Sequence, residues 1–111
     1  MYLTLVELPE YLRDADRLLD EDSQVEVKNF LARNPTAGAI MPGTNGVRKL
    51  RWARKGSGKR GGVRVIYYFY NETLPLFLLN IFGKNEKANL SKAERNDLAK
   101  LVSILVKTYG V

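Results

Sequence analysis

The sequence predicts an α+β fold: an antiparallel sheet packed with two N-terminal helices and a C-terminal helix, in the order βααβββα. Three observations carry this. Apolar residues recur at helical spacing near both ends of the chain, over 9–34 and again over 91–109. Between them lie three runs that alternate in polarity or are rich in β-branched and aromatic residues: Val47 to Ala53, Val63 to Tyr70 and Leu74 to Phe82. The last two are joined by only Asn71-Glu72-Thr73, which makes them an antiparallel hairpin.

Taken in order, Tyr2 to Glu7 reads as a short first strand. Leu8-Pro9 then opens a helix, because proline suits a first helical turn whose N–H groups lack partners anyway, and acids follow it. Leu12, Ala15, Leu18 and Leu19 fall at helical spacing and are its expected buried stripe. Asp20-Glu21-Asp22-Ser23 interrupts it. Ser23 with Glu26 three residues on is the expected capping box of a second helix, which buries Val27, Phe30 and Leu31. Asn34-Pro35 ends that helix, since the residue before proline is pushed out of helical geometry.

Residues 35–46 are expected to be loop, with Asn45-Gly46 as a turn signal. Alternation from Val47 to Ala53 sends Leu50 and Trp52 to one face and Lys49 and Arg51 to the other. Pro75 stands near a strand start, where a missing N–H is tolerated. Leu76 to Phe82 is apolar on both faces apart from Asn80, which puts this strand centrally in the sheet. Ser91-x-x-Glu94 is a second capping box, and Leu98, Leu101, Val102, Leu105 and Tyr109 make a stripe that ends at Gly110.

Composition bounds the chemistry. The 111 residues, 45% hydrophobic and 27% charged, fit one globular domain spanning 1–111. With no cysteine there is neither a disulfide framework nor a thiolate metal site; with no histidine, imidazole zinc sites and histidine-based acid–base catalysis are excluded. No apolar stretch approaches the roughly 20 residues of a membrane helix. The start, Met1-Tyr2-Leu3-Thr4-Leu5-Val6-Glu7, has neither the basic region nor the cleavage site of a signal peptide, so the cytoplasm is the expected location.

A net charge of +6 favours a polyanionic partner. The charge is also segregated. Residues 1–30 hold eight acids and three bases, whereas Arg48, Lys49, Arg51, Arg54, Lys55, Lys59, Arg60 and Arg64 follow one another without a carboxylate between them. Bases that alternate with apolar residues inside a chain describe a basic groove on a folded sheet better than a solvated tail.

Gly56-Ser57-Gly58-Lys59-Arg60-Gly61 matches G-x-G-x-x-G, but it leads into a strand rather than a helix, so it is no dinucleotide site. It reads as a basic loop between strands, either a plain linker or one whose glycines let the backbone approach a phosphate chain. Arg64, on the side of Ile66 and Tyr68, is either a rim residue with a buried stem or a phosphate ligand; Lys49 and Arg51 on the neighbouring strand favour the second. Gly83-Lys84-Asn85-Glu86-Lys87 is a polar loop at the end of the most apolar strand, close enough to the basic hairpin to contribute to a site. Tyr67, Tyr68 and Tyr70 have faces on which bases stack, although most of that run is expected to be packing.

As a set, Gly43-Thr44-x-Gly46-Val47-Arg48-Lys49-Leu50-Arg51, Gly58-Lys59-Arg60-Gly61-Gly62-x-Arg64-Val65-Ile66-Tyr67-Tyr68 and Gly83-Lys84-Asn85-Glu86 resemble the RelE superfamily of bacterial toxins, nearest its HigB-type branch. The resemblance implies a RelE-like (microbial-ribonuclease-like) fold and a toxin of a type II toxin–antitoxin system. Such a toxin is a ribosome-dependent, metal-independent endoribonuclease that cuts mRNA in the decoding site, needs no cofactor and is neutralised by a cognate, HigA-like, DNA-binding antitoxin. By position, Lys49 and Arg51 match the family's paired basic strand residues that touch substrate and assist proton transfer, and Arg64 its phosphate-stabilising arginine. Lys84 and Asn85 lie where the family has Lys-Arg, so Lys84 stands in for the missing arginine; Ser91 stands where RelE has a tyrosine, which leaves the general acid or base unassigned. Arg48, Arg54, Lys55, Lys59, Arg60, Asn85 and Lys87 are the expected contacts to RNA and ribosome.

Two other classes stay open on the sequence: a ParE-like toxin of the same fold that binds gyrase and has no nuclease site, and a non-catalytic RNA- or DNA-binding module. The Lys49, Arg51 and Arg64 constellation speaks against the first, because an inhibitor that binds protein needs no clustered phosphate ligands. The second predicts strongly salt-dependent binding without cleavage. An antitoxin is expected either to lay an acidic or amphipathic segment over the basic groove or to block access to the ribosome by bulk.

Overall fold

A computed structural model describes residues 3–53, 62–87 and 89–110. Along the chain run β1 (Leu5–Glu7), α1 (Pro9–Leu18), α2 (Glu21–Arg33), β2 (Ala39–Ile40), β3 (Arg48–Trp52), β4 (Val63–Tyr68), β5 (Leu76–Gly83) and α3 (Lys92–Tyr109). The strands form one sheet in the order β1-β5-β4-β3-β2. The α+β class and all three expected helices are present, and β5 has neighbours on both sides as its two-faced apolar pattern demands.

Two features of the sheet depart from the expectation. It is mixed, not wholly antiparallel, because β1 runs parallel to β5 with Leu5 opposite Leu76 and Glu7 opposite Leu78. Polarity alternates identically in both kinds of pairing, so the period could not tell them apart; a parallel pair needs only a long crossover, which α1 onward supplies. A fourth antiparallel strand, β2, lies inside the expected loop, pairing Ala39 with Lys49 and Ile40 with Arg48. Two exposed residues are too few to show a period of two.

The helices also begin and face slightly differently. Asp20, not Ser23, caps α2: its carboxylate accepts from the Ser23 N–H at 2.7 Å, so the acidic run is the cap and first turn of the helix rather than an interruption. In α1 the buried stripe is Tyr11, Ala15 and, just beyond the helix, Leu19, while Leu12 is exposed. The α3 capping box is as read, with Ser91 and Glu94 exchanging bonds. Tyr109 is half-exposed but sets its ring edge-on to Phe77, centroids 5.0 Å apart.

Two cores result, one on each face of the sheet. Tyr11, Ala15, Val27 and Leu31 from α1 and α2 pack on Val63, Val65, Tyr67, Leu76, Leu78 and Ile81, with Leu50 and Trp52 alongside. Leu98, Val102 and Leu105 of α3 pack on Val47, Ile66, Tyr68, Phe77 and Leu79. A β-bulge between Ile66 and Tyr67 resets the register of β4 on β5. The chain enters β3 through a turn in which Asn45 and Gly46 take φ of +59° and +101°, conformations that asparagine tolerates and glycine adopts freely. Buried Thr44 holds that turn, donating to Met41 O and accepting from Val47 N–H.

Candidate active site

Register and alternation assemble the basic residues. Arg51 of β3 lies directly opposite Arg64 of β4, and Lys49 opposite Ile66, so Lys49, Arg51 and Arg64 share one face. Directly opposed side chains have Cβ atoms about 5 Å apart, which makes Arg51 and Arg64 immediate neighbours. This is the face that α3 covers with Val47, Ile66 and Tyr68 beneath it. Its apolar stripe stops short of the cations: Arg51 is exposed, and Lys49 and Arg64 are partly so. None of the three forms an ion pair with a described residue. Lys49 donates to Asn89 Oδ1 at 3.4 Å, a long bond that ties it to the approach of α3.

Lys84 reaches the same end of the sheet through its backbone. Its N–H donates to Gly62 O at 3.0 Å, extending the β4–β5 ladder one step past Gly83 and Val63. The side chains of Lys84 and Asn85 are exposed, with no bond to a described residue. Lys87 is engaged elsewhere: its ammonium lies 2.5 Å from Glu94 Oε2 and 5.2 Å from the Phe82 ring centroid. Arg54, Lys55, Lys59 and Arg60, and the glycine-rich loop that carries them, lie outside the described residues.

Arg48, expected among the RNA contacts, faces away from Lys49 and Arg51. Its Nη1 donates to Gly38 O at 2.8 Å and Thr36 O at 3.2 Å, while its buried Nε has no partner. Its guanidinium thus braces the segment before β2. Tyr67 acts beside it, accepting from the Gly38 N–H at 2.8 Å and donating to Pro35 O at 2.9 Å. A Cβ at Gly38 would stand 2.8 Å from the Tyr67 ring, so glycine is needed there. Tyr67 and Tyr68 are buried and Tyr70 is exposed, stacked on Tyr68 at 6.4 Å. Of these three, Tyr70 is the one that presents a face to solvent.

Sequence reasoning missed the carboxylates that organise the neighbouring loop. Both Glu86 oxygens receive bonds from Arg17, at 2.9 and 3.0 Å, and Glu86 Oε1 also accepts from Gly83 N–H at 3.3 Å. The Arg17 hydrogen bonds hold the Glu86 carboxyl below its ordinary range, and Lys87 does the same for Glu94. Both are ionised at neutral pH and donate no proton to a reaction. Burial raises the Tyr67 and Tyr68 phenols, so neither is a ready base. The signal for Glu86 was present: it is the one acid in the run Gly83 to Lys87.

A cavity of about 420 Å³ opens on the other side of that loop, between α1 and the start of α3, floored by Ile81, Phe82, Leu90 and Leu98. Four of the five carboxylates that line it are engaged, Glu10 by Asn80, Asp14 by Arg13, Glu86 by Arg17 and Glu94 by Lys87, and Asp97 is the fifth. Among the described residues, no group of three or more acidic side chains is placed to hold a metal ion. The chemistry is concentrated on the cationic strand pair, whose fixed positive charges suit a phosphodiester that gains negative charge as it reacts.

The family model for the RelE toxin of the RelE/RelB toxin–antitoxin system matches residues 36–109, which include β2 to β5, all of α3 and the whole cationic face. Among solved structures, the chain is similar to a mutant of the E. coli toxin RelE in the free state. The two are 15% identical with a TM-score of 0.56, over 97% of this chain and 98% of that one. At that identity the likeness speaks for the fold, and it extends over the acidic N-terminal helices that the family match leaves out.

Proposed function

The chain belongs to the RelE family of toxins from toxin–antitoxin systems, and from that premise we propose that it is a metal-independent endoribonuclease that cuts mRNA in the decoding site of the ribosome. The observation that carries this reading is Arg51 directly opposite Arg64, with Lys49 on the same face. Like charges opposed across a sheet are unfavourable, on the order of 0.2–1 kcal/mol. A fold that retains them at its uncovered end is suited to receive an anion there.

The chemistry needs no histidine. The 2′-oxygen of a ribose attacks the adjacent phosphorus, its proton passes to a base, and the 5′-oxygen leaves with a proton as the cyclic phosphate forms. Negative charge grows on the pentacoordinate phosphorus. Arg64 is suited to grip it through two parallel N–H bonds, with Arg51 and Lys84 adding charge and Lys49 assisting proton transfer. Asn85, Lys87, Arg48 and the loop bases Arg54, Lys55, Lys59 and Arg60 are the proposed contacts to RNA and ribosome, with Arg48 and Lys87 the weakest members because their donors are already engaged. The ribosome holds the message in line for attack, which supplies by orientation what the site lacks in acid–base groups. The antitoxin is of the HigA-like, DNA-binding kind, and the toxin acts in the cytoplasm, where ribosomes are.

Primer extension on cellular mRNA after brief induction, repeated with purified protein and RNA with and without ribosomes, tests this. Codon-phased cuts that require the ribosome are the expected result. Growth arrest with intact message would overturn it in favour of a gyrase-directed toxin.

A further inference from the structure

We propose that Arg17 and Glu86 form a positioning clamp that sets the Lys84–Asn85 turn against the cationic strand pair, an inference that rests on the nuclease reading. Arg17 sits in the last turn of α1, in the layer that packs on the opposite face of the sheet. Its guanidinium reaches around the end of β5 and meets Glu86 as a fork, with Nη1 on Oε1 at 2.9 Å and Nη2 on Oε2 at 3.0 Å, across 69 residues of chain. Asp14 steadies the guanidinium from one turn earlier, at 3.4 Å.

Three further bonds transmit this grip to Lys84. The Glu86 N–H donates to Gly83 O at 3.0 Å, closing the turn, and the Glu86 carboxylate returns to the Gly83 N–H. Lys84 N–H is fastened to Gly62 O. Lys84 and Asn85 are thus bracketed by a strand on one side and by the clamp on the other, with both side chains free to face a ligand. The bracket is tight: a Cβ on Gly83 would stand 3.2 Å from Glu86 Oε1 and 3.7 Å from the Leu18 side chain. An exposed ion pair contributes little to global stability, so two parallel bonds at this place matter through the geometry they impose. They fix one planar orientation, which a lysine in place of Arg17 would not.

The test is single-turnover cleavage of ribosome-bound mRNA by wild type, Arg17→Ala, Arg17→Lys and Glu86→Gln, with thermal unfolding and amide hydrogen exchange on each. Misplacing a reacting group by an ångström costs on the order of a hundredfold, so Arg17→Ala and Glu86→Gln are expected to lose about ten- to a hundredfold in kcat. KM and Tm should hardly change, the amides of Lys84 to Lys87 should exchange faster, and Arg17→Lys should fall between. Unchanged kcat in Arg17→Ala, or a loss that merely follows a fallen Tm, would overturn the clamp while leaving the nuclease reading standing. Wild-type protein that cuts nothing on the ribosome would overturn that reading, and the clamp with it.

Discussion

On one face of the sheet, Leu50, Trp52, Val63, Val65, Tyr67 and Ile81 lie beneath α1 and α2; on the other, Val47, Ile66 and Tyr68 lie beneath α3, but the same strands go on to carry Lys49, Arg51 and Arg64. Both faces are written by the same period-two pattern. The first gives it to packing, with Arg48 bracing a loop at its edge, whereas the second stops burying halfway and becomes a cationic cluster. Packing and chemistry are therefore separable here along a single strand: neighbouring residues of β3 and β4 serve opposite ends, so substitutions one position apart should fail in different assays.

The largest effect is expected at Arg64. Arg64→Ala removes the proposed phosphate ligand, and loss of one such donor costs on the order of 10²–10³ in rate. It also relieves the repulsion from Arg51 across the sheet, so Tm should hold or rise slightly. Ribosome-dependent cleavage and thermal unfolding, measured on the same preparation, check both halves. Growth arrest persisting in a folded Arg64→Ala protein would remove Arg64 from the reacting centre.

Tyr67, three residues along β4 and on the opposite face, should do the reverse. Tyr67→Phe deletes a buried hydroxyl that serves both Gly38 N–H and Pro35 O, leaving two backbone groups without partners. That costs about 1–3 kcal/mol, read by denaturant unfolding, with cleavage per folded molecule unchanged. Arg48 and Arg51 make a finer version of the same contrast within β3. Arg48→Ala loses two charge-assisted bonds to carbonyls but also an orphaned Nε, for a net of about 1 kcal/mol of stability. Arg51→Ala should be neutral for stability and lower cleavage. If Arg48→Ala lowers RNA affinity without touching stability, the assignment of faces is wrong.

The sequence was most legible where one residue type decides the geometry alone. Pro9 at a helix start, Ser91 with Glu94, the Asn45-Gly46 turn and the in–out alternation of β3 are local signals, and each is where the spacing put it. Lys49, Arg51 and Arg64 could be gathered on one face because alternation and antiparallel pairing suffice to do it. What could not be read depends on distant chain. The parallel placing of β1 beside β5 and the Arg17 bond to Glu86 join residues about 70 apart, and no period encodes them. The bonding of Arg48 was hidden for a related reason: it sits in a basic run, but its partners at 36 and 38 lie just before a strand too short to foresee.

The smallest expected effect concerns Lys87, a cation of the loop that is kept apart from the cationic face. Glu94 holds it at 2.5 Å, and the Lys87 hydrogen bond, followed by the Ser91 N–H, draws the Glu94 carboxyl below its ordinary value. A folded-state value below the unfolded one means that the contribution is complete above the ordinary carboxylate range. It is lost as pH falls through that range to the lowered value. Glu94→Gln keeps the capping box, which accepts either residue, and removes only the charge. Wild type should therefore exceed Glu94→Gln in unfolding free energy at pH 6, by less than about 1 kcal/mol since the pair is exposed, and the gap should close near pH 3. A gap that ignores pH would mean that the hydrogen-bond geometry, not the charge, is what the variant lost. At neutral pH the same variant releases one ammonium beside Lys84 and Asn85. If Glu94 is what keeps Lys87 from RNA, the salt dependence of RNA binding should steepen by about one counterion or less. An unchanged slope would place Lys87 with Tyr67, among the residues that hold the fold rather than meet the message.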